Sequence, residues 1–357
     1  MEAFLMGHRR SLLLWVLLGS LVFAGFVHGN EPAKFDLHSA IKYAEENSNQ
    51  VKLAKIALEN ARVAYQEAQA NLLERPSVVT RQREEKTWQN AQRDYELVRE
   101  NLALQVAQVY YDVLRAQMAL DLAKRNHARA KANLESTQAR YELGMVSDVD
   151  RLAAESQLAS AAVELNQAKA SEFSARMRFN RILGRELEAP FDLVDEFAYE
   201  AVEIDLEKAL EHALKTRLDF QQAQNTLELR RLEYEVSNNQ YTPQLAIERA
   251  RLAMEQAEIQ LEEKKLDLIL EVRQNYQNLL EAQARIPIQE MNSKRAQQSL
   301  AIAEERYRAG VITYLDLIDA QRAAFQAEMA LIQAVFDYNI LIARFNRVAG
   351  YPLVKSQ

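Results

Sequence analysis

Hydroxyl and carboxylate side chains follow two glycines of this chain at matching distances. Three residues after each glycine comes a Ser or Thr, and an Asp lies three residues further on: Ser147 and Asp150 after Gly144, and Thr313 and Asp316 after Gly310. A hydroxyl followed by an acid at this spacing is typical of a capping box, in which the two side chains bond to free amides at the start of a helix. Asp319 is too deep in the second helix to act as a cap, so capping does not explain its charge.

Other reactive residue types form no pattern of a catalytic or metal site. The chain has no cysteine, and its five histidines are scattered, so no set with metal-ligand spacing emerges (His8, His28, His38, His127 and His212). No nucleophile with a positioned base, phosphate-binding loop or paired-carboxylate cleft can be identified. Four aromatic residues lie within helical apolar stripes and are interpreted as core (Tyr110, Tyr111, Tyr276 and Phe336). The sequence therefore predicts no enzyme activity, cofactor or metal.

The two glycines predict helix ends. Only glycine readily adopts the left-handed conformation that closes many helices, and the capping hydroxyl starts the next helix three residues later. Between stop and start lie two apolar residues, Met145-Val146 or Val311-Ile312. The flanking helices must therefore fold back as antiparallel hairpins with blunt, partly apolar tips, at 141–150 and 307–316.

Composition favours long helices in an exported protein. The 357 residues include only 8 Gly and 6 Pro, and the net charge of −7 is mixed along the helices, which argues against nucleic-acid binding. Near the start, Arg9-Arg10 precede an apolar run from Leu12 to Val27, as in a secretory signal. We expect residues 1–29 to be a cleaved signal peptide, with an uncleaved anchor as the alternative. The chain also lacks the cysteine that carries lipid in bacterial lipoproteins.

An internal repeat organises the rest of the chain. Asp36 to Tyr65 aligns with Asp205 to Tyr234 at an offset of 169, and the sequence from Val106 onward aligns with its counterpart at an offset of 166. Both copies end in Phe-Asn-Arg-x-x-Gly, at Gly184 and Gly350. We therefore expect a first helical repeat over 36–184, a connector over 185–204 and a second helical repeat over 205–350.

Each repeat is predicted to contain three long helices. The first helices (37–73 and 206–238) should end before Pro76 and Pro243, the long second helices should cover 83–142 and 245–308, and the third should cover 148–183 and 314–348. Pro287 predicts a kink in one long helix only. Two offset apolar heptad seams indicate neighbours on two sides. A closed ring of helices and a four-helix bundle folded on itself both satisfy this pattern.

These features together resemble the TolC-type outer-membrane efflux proteins. The family motif at a hairpin tip is matched at seven positions of the second repeat: Tyr307, Gly310, Thr313, Asp316, Ile318, Ala320 and Gln321. The resemblance implies an all-α fold that forms a helical barrel as a homotrimer, associated with the periplasm or outer membrane. It also implies a conduit for small molecules or proteins that works with a periplasmic adaptor and an inner-membrane pump, in tripartite efflux or type I export.

The resemblance also assigns roles at the tips. It implies that Asp316 and Asp319 narrow the pore mouth, as two stacked rings of carboxylates in a trimer. The apolar pairs are expected to dock the adaptor, although turn chemistry alone would also account for these residues. The expected docking residues are Gly144, Met145, Val146, Ser147, Asp150, Gly310, Val311, Ile312 and Thr313.

The sequence departs from the family after each proline. Family members insert there a β-hairpin that crosses the membrane, but the segments after Pro76 and Pro243 are too short, with at most Ser77 to Thr80 extended. We therefore expect a TolC-like helical tunnel without these hairpins and with little or no β structure. The alternative is a non-conducting periplasmic coiled-coil scaffold. A pump adaptor would need β-rich lipoyl-like segments, which the sequence does not offer.

Overall fold

A computed structural model describes residues 33–194 and 199–350. The expected signal peptide, 1–29, lies outside these residues. The described chain is almost entirely helical, as predicted. Its elements are β1 (Ala33–Phe35), α1 (Leu37–Asn47), α2 (Asn49–Glu74), α3 (Val78–Glu142), α4 (Asp148–Leu183), β2 (Phe191–Leu193), α5 (Leu206–Thr216), α6 (Leu218–Ser237), α7 (Gln244–Arg308) and α8 (Tyr314–Ala349).

Helix bounds recur along the chain at the offsets seen in the sequence. α1 and α5 both have 11 residues, α3 and α7 both have 65, and α4 and α8 both have 36. At about 1.5 Å per residue, α3 and α7 are rods of roughly 100 Å. α7 continues through Pro287, which cannot donate to the carbonyl of Gln283. The kink expected at this proline stays a prediction.

The first predicted helix of each repeat is two helices, so this expectation was wrong. Single extended residues interrupt the helix at Ser48 (φ −61°, ψ 133°) and Arg217 (φ −63°, ψ 121°). The Ser48 hydroxyl accepts from the amide of Gln50 at 3.2 Å and so caps α2. Arg217 makes no such cap, and its guanidinium instead joins a set of ion pairs described below.

Long helices follow both prolines almost directly. α3 begins at Val78, where the Ser77 hydroxyl accepts from the amide of Thr80 at 3.2 Å, and α7 begins at Gln244. Residues 78–80 are thus helical, whereas the sequence allowed them to be extended. In the described ranges, strand structure is limited to β1 and β2, which pair in parallel with Ala33 opposite Phe191.

The helices form an open row. Towards the hairpin tips the order across the row is α4, α3, α8, α7; towards the prolines it is α2, α3, α6, α7. α7 does not pack substantially against α2 or α4 within the described ranges. A four-helix bundle needs such a closing contact, so the structure excludes that alternative. α7 forms one edge of the row, and α2 and α4 form the other.

Three clusters of buried apolar residues hold the row together. One lies in each repeat, centred on Tyr110 and Phe179 in the first and on Tyr338 and Phe345 in the second. The third lies near the tips and includes Tyr314 and residues of both repeats. Within the described ranges, no helix has the length and apolarity needed to cross a bilayer.

Candidate functional site

Both hairpin tips lie at the same end of the molecule. The hydroxyls of Thr137 on α3 and Tyr307 on α7 are 3.4 Å apart. The Arg140 guanidinium carbon is 5.1 Å from the centre of the Tyr307 ring. Ala154, from the first repeat, belongs to the same buried cluster as Tyr314, from the second. The two tips therefore form one end surface, as a paired docking surface requires.

The turns at the tips have the geometry that their glycines predict. Gly144 and Gly310 have φ of 70° and 72°. The amide of Met145 donates to the Arg140 carbonyl at 2.8 Å, and the amide of Val311 donates to the Arg306 carbonyl at 2.9 Å. This is the long bond of a Schellman motif, which satisfies a free carbonyl at the helix end. The turns are therefore stable without a partner.

Asp150 and Asp316 cap their helices. The amide of Thr313 donates to Asp316 Oδ2 at 2.9 Å, and the amide of Asp316 donates to Thr313 Oγ1 at 3.2 Å. Ser147 and Asp150 make the same reciprocal bonds at 3.1 and 3.2 Å. Hydrogen bonds from the side chain and backbone of Thr313 hold the pKa of Asp316 below its ordinary value. The structure thus accounts for Asp316 as a folding residue.

Asp319 has a different environment. Its carboxylate is highly exposed and lies 3.6 Å from Arg322 of the same helix. An exposed pair of this kind contributes little to stability. Folding therefore does not explain Asp319, whereas it does explain Asp316. The rings of carboxylates expected from the family would require other copies of the chain and stay a prediction.

The apolar residues of the tips are unequally exposed. Met145 is 68% exposed and Val311 is 71% exposed, whereas Val146 and Ile312 are half-buried under the turns. Sequence reasoning missed further exposed apolar residues beside the tips: Leu143, Val149, Leu152 and Leu315. The sequence could have indicated two of them, because Val149 and Leu315 are apolar residues at equivalent positions, each the second residue of its helix. The tip surface is thus broader than the two apolar pairs.

Tyr314 is a second residue that sequence reasoning missed. It is the first residue of α8 and is almost completely buried, and its hydroxyl has no hydrogen-bond partner within the described ranges. Burial, with a smaller contribution from Tyr307, raises its pKa to about 12. The equivalent residue of the first repeat is Asp148, on the open edge. The second tip therefore packs against the first repeat, whereas Asp148 is exposed and the matching face of the first tip has no neighbour among the described residues.

Towards the prolines, where α3 packs against α6, the joint between the two repeats is polar. Lys86 Nζ on α3 lies 2.9 Å from Asn225 Oδ1 and 2.6 Å from Glu228 Oε2 on α6. Arg83 on α3 lies 2.7 Å from Glu233 on α6. We call this contact the inner joint. Ion pairs and amides, rather than apolar side chains, define its register.

The open edges are apolar at the equivalent positions. At the offsets of the repeat, Lys86 corresponds to Leu252 on α7, and Asn225 corresponds to Ile56 on α2. Both are exposed, and both belong to exposed apolar stripes: Leu252, Ile259 and Leu266 on α7, and Leu53, Ile56 and Val63 on α2. The spacing of seven on α7 is that of a coiled-coil seam. Each edge thus presents an apolar surface suited to packing against another helix.

A cavity of about 460 Å³ lies on the open edge, beside Ser48. Gln105, Gln108, Arg178 and Arg181 are among its lining residues. The equivalent place in the second repeat is occupied by Arg217, whose guanidinium lies 2.8 Å from Asp219 and 3.1 Å from Glu271. The two repeats thus differ at this position, with a short side chain at Ser48 and a long one at Arg217. In the part of the chain that the structure describes, no three His, Asp or Glu side chains converge as metal ligands.

Comparison with solved structures places this fold in a known class. A membrane protein from Pseudomonas aeruginosa matches with a TM-score of 0.76 and 14% identity, over 90% of this chain and 92% of that chain. The Campylobacter jejuni CmeC outer membrane channel matches with a TM-score of 0.74 and 15% identity, over 90% and 87%. The open state of the Neisseria gonorrhoeae MtrE outer membrane channel matches with a TM-score of 0.70 and 17% identity, over 89% of each chain. The fold is that of TolC-like channels.

The sequence itself identifies the family. The family model for outer membrane efflux proteins matches residues 77–185 and 244–344, which together make up more than half of the chain. The chain belongs to the outer membrane efflux protein family. This is a family of transport proteins, as the resemblance of the tip motif indicated. No curated relative matches the sequence.

Proposed function

We propose that this chain is a subunit of a homotrimeric helical conduit that passes small molecules or proteins across the periplasm, in a tripartite efflux or type I export system. The observation that carries the proposal is the open row of helices, whose two edges are apolar and unpartnered within the described chain. An open row of this kind can bury its apolar edges by packing against other copies of the chain. Family membership and fold support the same function.

The repeat suggests how the copies join. In this proposal the repeats 36–184 and 205–350, linked by the connector 185–204, are the structural units, and every joint has similar geometry. The α7 edge of one copy then packs on the α2 and α4 edge of the next, with Leu252 beside the neighbour's Ile56. This contact joins two different surfaces, so it propagates from copy to copy, and in the proposed homotrimer the ring closes at three copies.

Disulfide cross-linking tests this assembly, because the chain has no native cysteine. We expect the double variant Ile56→Cys/Leu252→Cys to form covalent dimers and trimers on mild oxidation, with the trimer as the largest product. Each single variant should stay monomeric under denaturing conditions, because each joint contains one residue from either edge. Non-reducing electrophoresis and light scattering measure the products.

The inner joint supplies a matched control. Lys86→Cys/Asn225→Cys should form a bond within one chain, so the denatured protein keeps the monomer mass and gains mobility. Cross-linked products larger than a trimer would show that the copies assemble into an open filament. Dimers from the single variants would show that two copies pair symmetrically through the same edge. Either result, or a lack of cross-linking between copies, contradicts the proposed ring.

We further propose that the tips dock a periplasmic adaptor, which couples the conduit to an inner-membrane pump. The exposed Met145 and Val311 support this role, because their turns are stable without exposed apolar side chains. Met145→Asp or Val311→Asp should abolish export while light scattering still shows a trimer. Met145→Leu is the control, since it keeps an apolar side chain and should retain export. Normal export by both charged variants would contradict docking.

The proposed gate is a ring of Asp319 carboxylates, beside a ring of Asp316, at the pore mouth. Like charges in a narrow opening attract cations and repel one another. Asp319→Ala, alone or with Asp316→Ala, should raise conductance in bilayer recordings and weaken block by divalent cations. Asp150→Ala removes the equivalent cap of the first repeat and should change neither property. Unchanged currents in the Asp319 variants would contradict the proposal that Asp319 forms a gate.

A further inference from the structure

The end of the molecule opposite the hairpin tips has its own surface, which we call the distal pole. It consists of the turn between α2 and α3 (residues 73–81) and the turn between α6 and α7 (residues 236–247). We propose that the distal pole inserts its apolar side chains into the interfacial layer of a phospholipid bilayer. The number of turns at this pole rests on the proposed trimer, whereas the chemistry of each turn does not.

Exposed apolar residues concentrate at this pole. Tyr241 is 87% exposed, Leu73 is 85% exposed and Leu245 is 82% exposed, and these are the three most exposed large apolar side chains of the described residues. Val78 adds a fourth apolar side chain, exposed at the start of α3. All four lie within a few residues of Pro76 or Pro243. Clusters of this kind mark interaction sites rather than ordinary surface.

Charge is absent from one of the two turns. No Asp, Glu, Lys or Arg occurs from Val236 to Ile247, although such residues make up 27% of the chain. The stretch contains amides, hydroxyls, one tyrosine and aliphatic residues. Tyrosine is enriched at membrane interfaces, where its ring lies among apolar groups and its hydroxyl meets water. The composition therefore suits the interface of a bilayer better than bulk water.

The two turns of one chain are held side by side. Lys86 lies near the start of α3 and Glu228 near the end of α6, and their ion pair at 2.6 Å ties the two helix ends together. The pair between Arg83 and Glu233, at 2.7 Å, lies still closer to the turns. Three chains would then present six such turns on one rim. The rim faces away from the tips, roughly 100 Å along the rods.

The charge of the first turn favours lipid over a protein partner. The turns lie at the ends of the rods, where a fluid bilayer accommodates projecting side chains. Arg75 and Arg81 flank Val78 in the first turn and outnumber the one carboxylate there, Glu74, and all three charged residues are exposed. Arginines at this position complement the phosphates of lipid headgroups, most strongly in anionic membranes. Binding should therefore increase with anionic lipid.

Site-specific fluorescence tests the proposal on the full chain. Tyr241→Cys, labelled with a nitrobenzoxadiazole dye, should show blue-shifted emission and quenching when vesicles of phosphatidylcholine and phosphatidylglycerol carry a doxyl quencher. The matched control is Met145→Cys with the same dye, an exposed apolar position at the opposite end, which should show neither change. Because the dye reports its own location, lipid binding by another segment does not imitate the result.

Second variants test the named side chains. Adding Leu73→Ser and Leu245→Ser to the labelled Tyr241→Cys chain should lower the partition coefficient at least about tenfold, since each leucine contributes burial of a whole side chain. Arg75→Ser/Arg81→Ser should reduce binding to vesicles with phosphatidylglycerol and leave binding to pure phosphatidylcholine nearly unchanged. Partitioning that is insensitive to the leucine changes would overturn the assignment.

Two other outcomes would also overturn the proposal. Absence of quenching at position 241 in both kinds of vesicle excludes lipid insertion. A doubled assembly mass in lipid-free solution, again without quenching, would show that distal poles pair end to end. Neither result affects the cross-linking between Ile56 and Leu252 variants, so failure of this inference is distinguishable from failure of the proposed ring.

Discussion

Alanine substitution of the glycines that end helices should lower the free energy of unfolding by very different amounts at different sites. Gly144 and Gly184 have nearly the same φ, 70° and 73°, so a side chain meets the same backbone strain at both, about 1 kcal/mol. A Cβ at Gly144 would have no atom within 4 Å. A Cβ at Gly184 would lie 2.8 Å from the carbonyl oxygen of Asn47 and 3.2 Å from its carbon.

The close contact at Gly184 is with the backbone of Asn47, so no flexible side chain can move to relieve it. Overpacking of this kind costs about 1–3 kcal/mol in addition to the strain. We therefore expect Gly144→Ala to lower the free energy of unfolding by about 1 kcal/mol and Gly184→Ala to lower it by about 3 kcal/mol. Urea unfolding followed by far-UV circular dichroism measures both values.

Gly350 supplies an internal check on this reasoning. A Cβ there would lie 2.5 Å from Thr216 Oγ1, a side-chain atom. Thr216→Ala should therefore relieve much of the clash, so the double variant should be more stable than the sum of the single changes predicts. Equal losses from Gly144→Ala and Gly184→Ala would refute the close approach of Gly184 to the junction between α1 and α2.

Three further predictions concern buried or hydrogen-bonded ionisable groups. Tyr314→Phe should stabilise the protein by about 1 kcal/mol, because the buried hydroxyl lacks a partner within the described ranges. Since the folded pKa of Tyr314 is raised from 10.0 to about 12, the free energy of unfolding falls as pH rises through that interval, and the Phe variant should lack this fall. Arg217→Met should cost about 2 kcal/mol in urea unfolding, because it leaves the carboxylates of Asp219 and Glu271 without their partner, and adding Glu271→Gln should recover part of the loss. The lowered pKa of Asp316 gives a stabilisation that is present above 3.8 and lost on acidification, so amide exchange at the start of α8 should accelerate in acid in the native chain and depend less on pH in Asp316→Asn.

Sequence reasoning succeeded where the signals were local. The turns at Gly144 and Gly310 follow from glycine and from Ser or Thr three residues later, and both capping boxes form as these residues predict. The breaks at Ser48 and Arg217 have no glycine or proline, and the only local signal is the capping serine at Ser48, which is too common a residue to mark a break by itself. They depend on tertiary packing, since Gly184 and Gly350 lie against the ends of α1 and α5.

The surfaces were harder to predict than the turns. Heptad patterns indicated neighbours on two sides of each rod, but they could not say which sides the chain itself fills. The structure shows that α3 packs against its own repeat and against the second repeat, whereas α7, within the described residues, packs substantially only against helices of its own repeat. Likewise, the apolar pairs at the tips looked equivalent in sequence, whereas Val146 and Ile312 are half-buried and Met145 and Val311 are exposed.

The inner joint has a mechanical consequence for the proposed ring. The ion pairs of Lys86 and Arg83 each have one exposed and one largely buried partner, so they weaken as ionic strength rises, whereas apolar contacts such as that expected at Leu252 do not. Salt would therefore loosen the inner joint, whereas the apolar cluster near the tips and the apolar contacts between neighbouring chains would hold. The proposed tube would then flex at three internal joints near the prolines while its chains stay together.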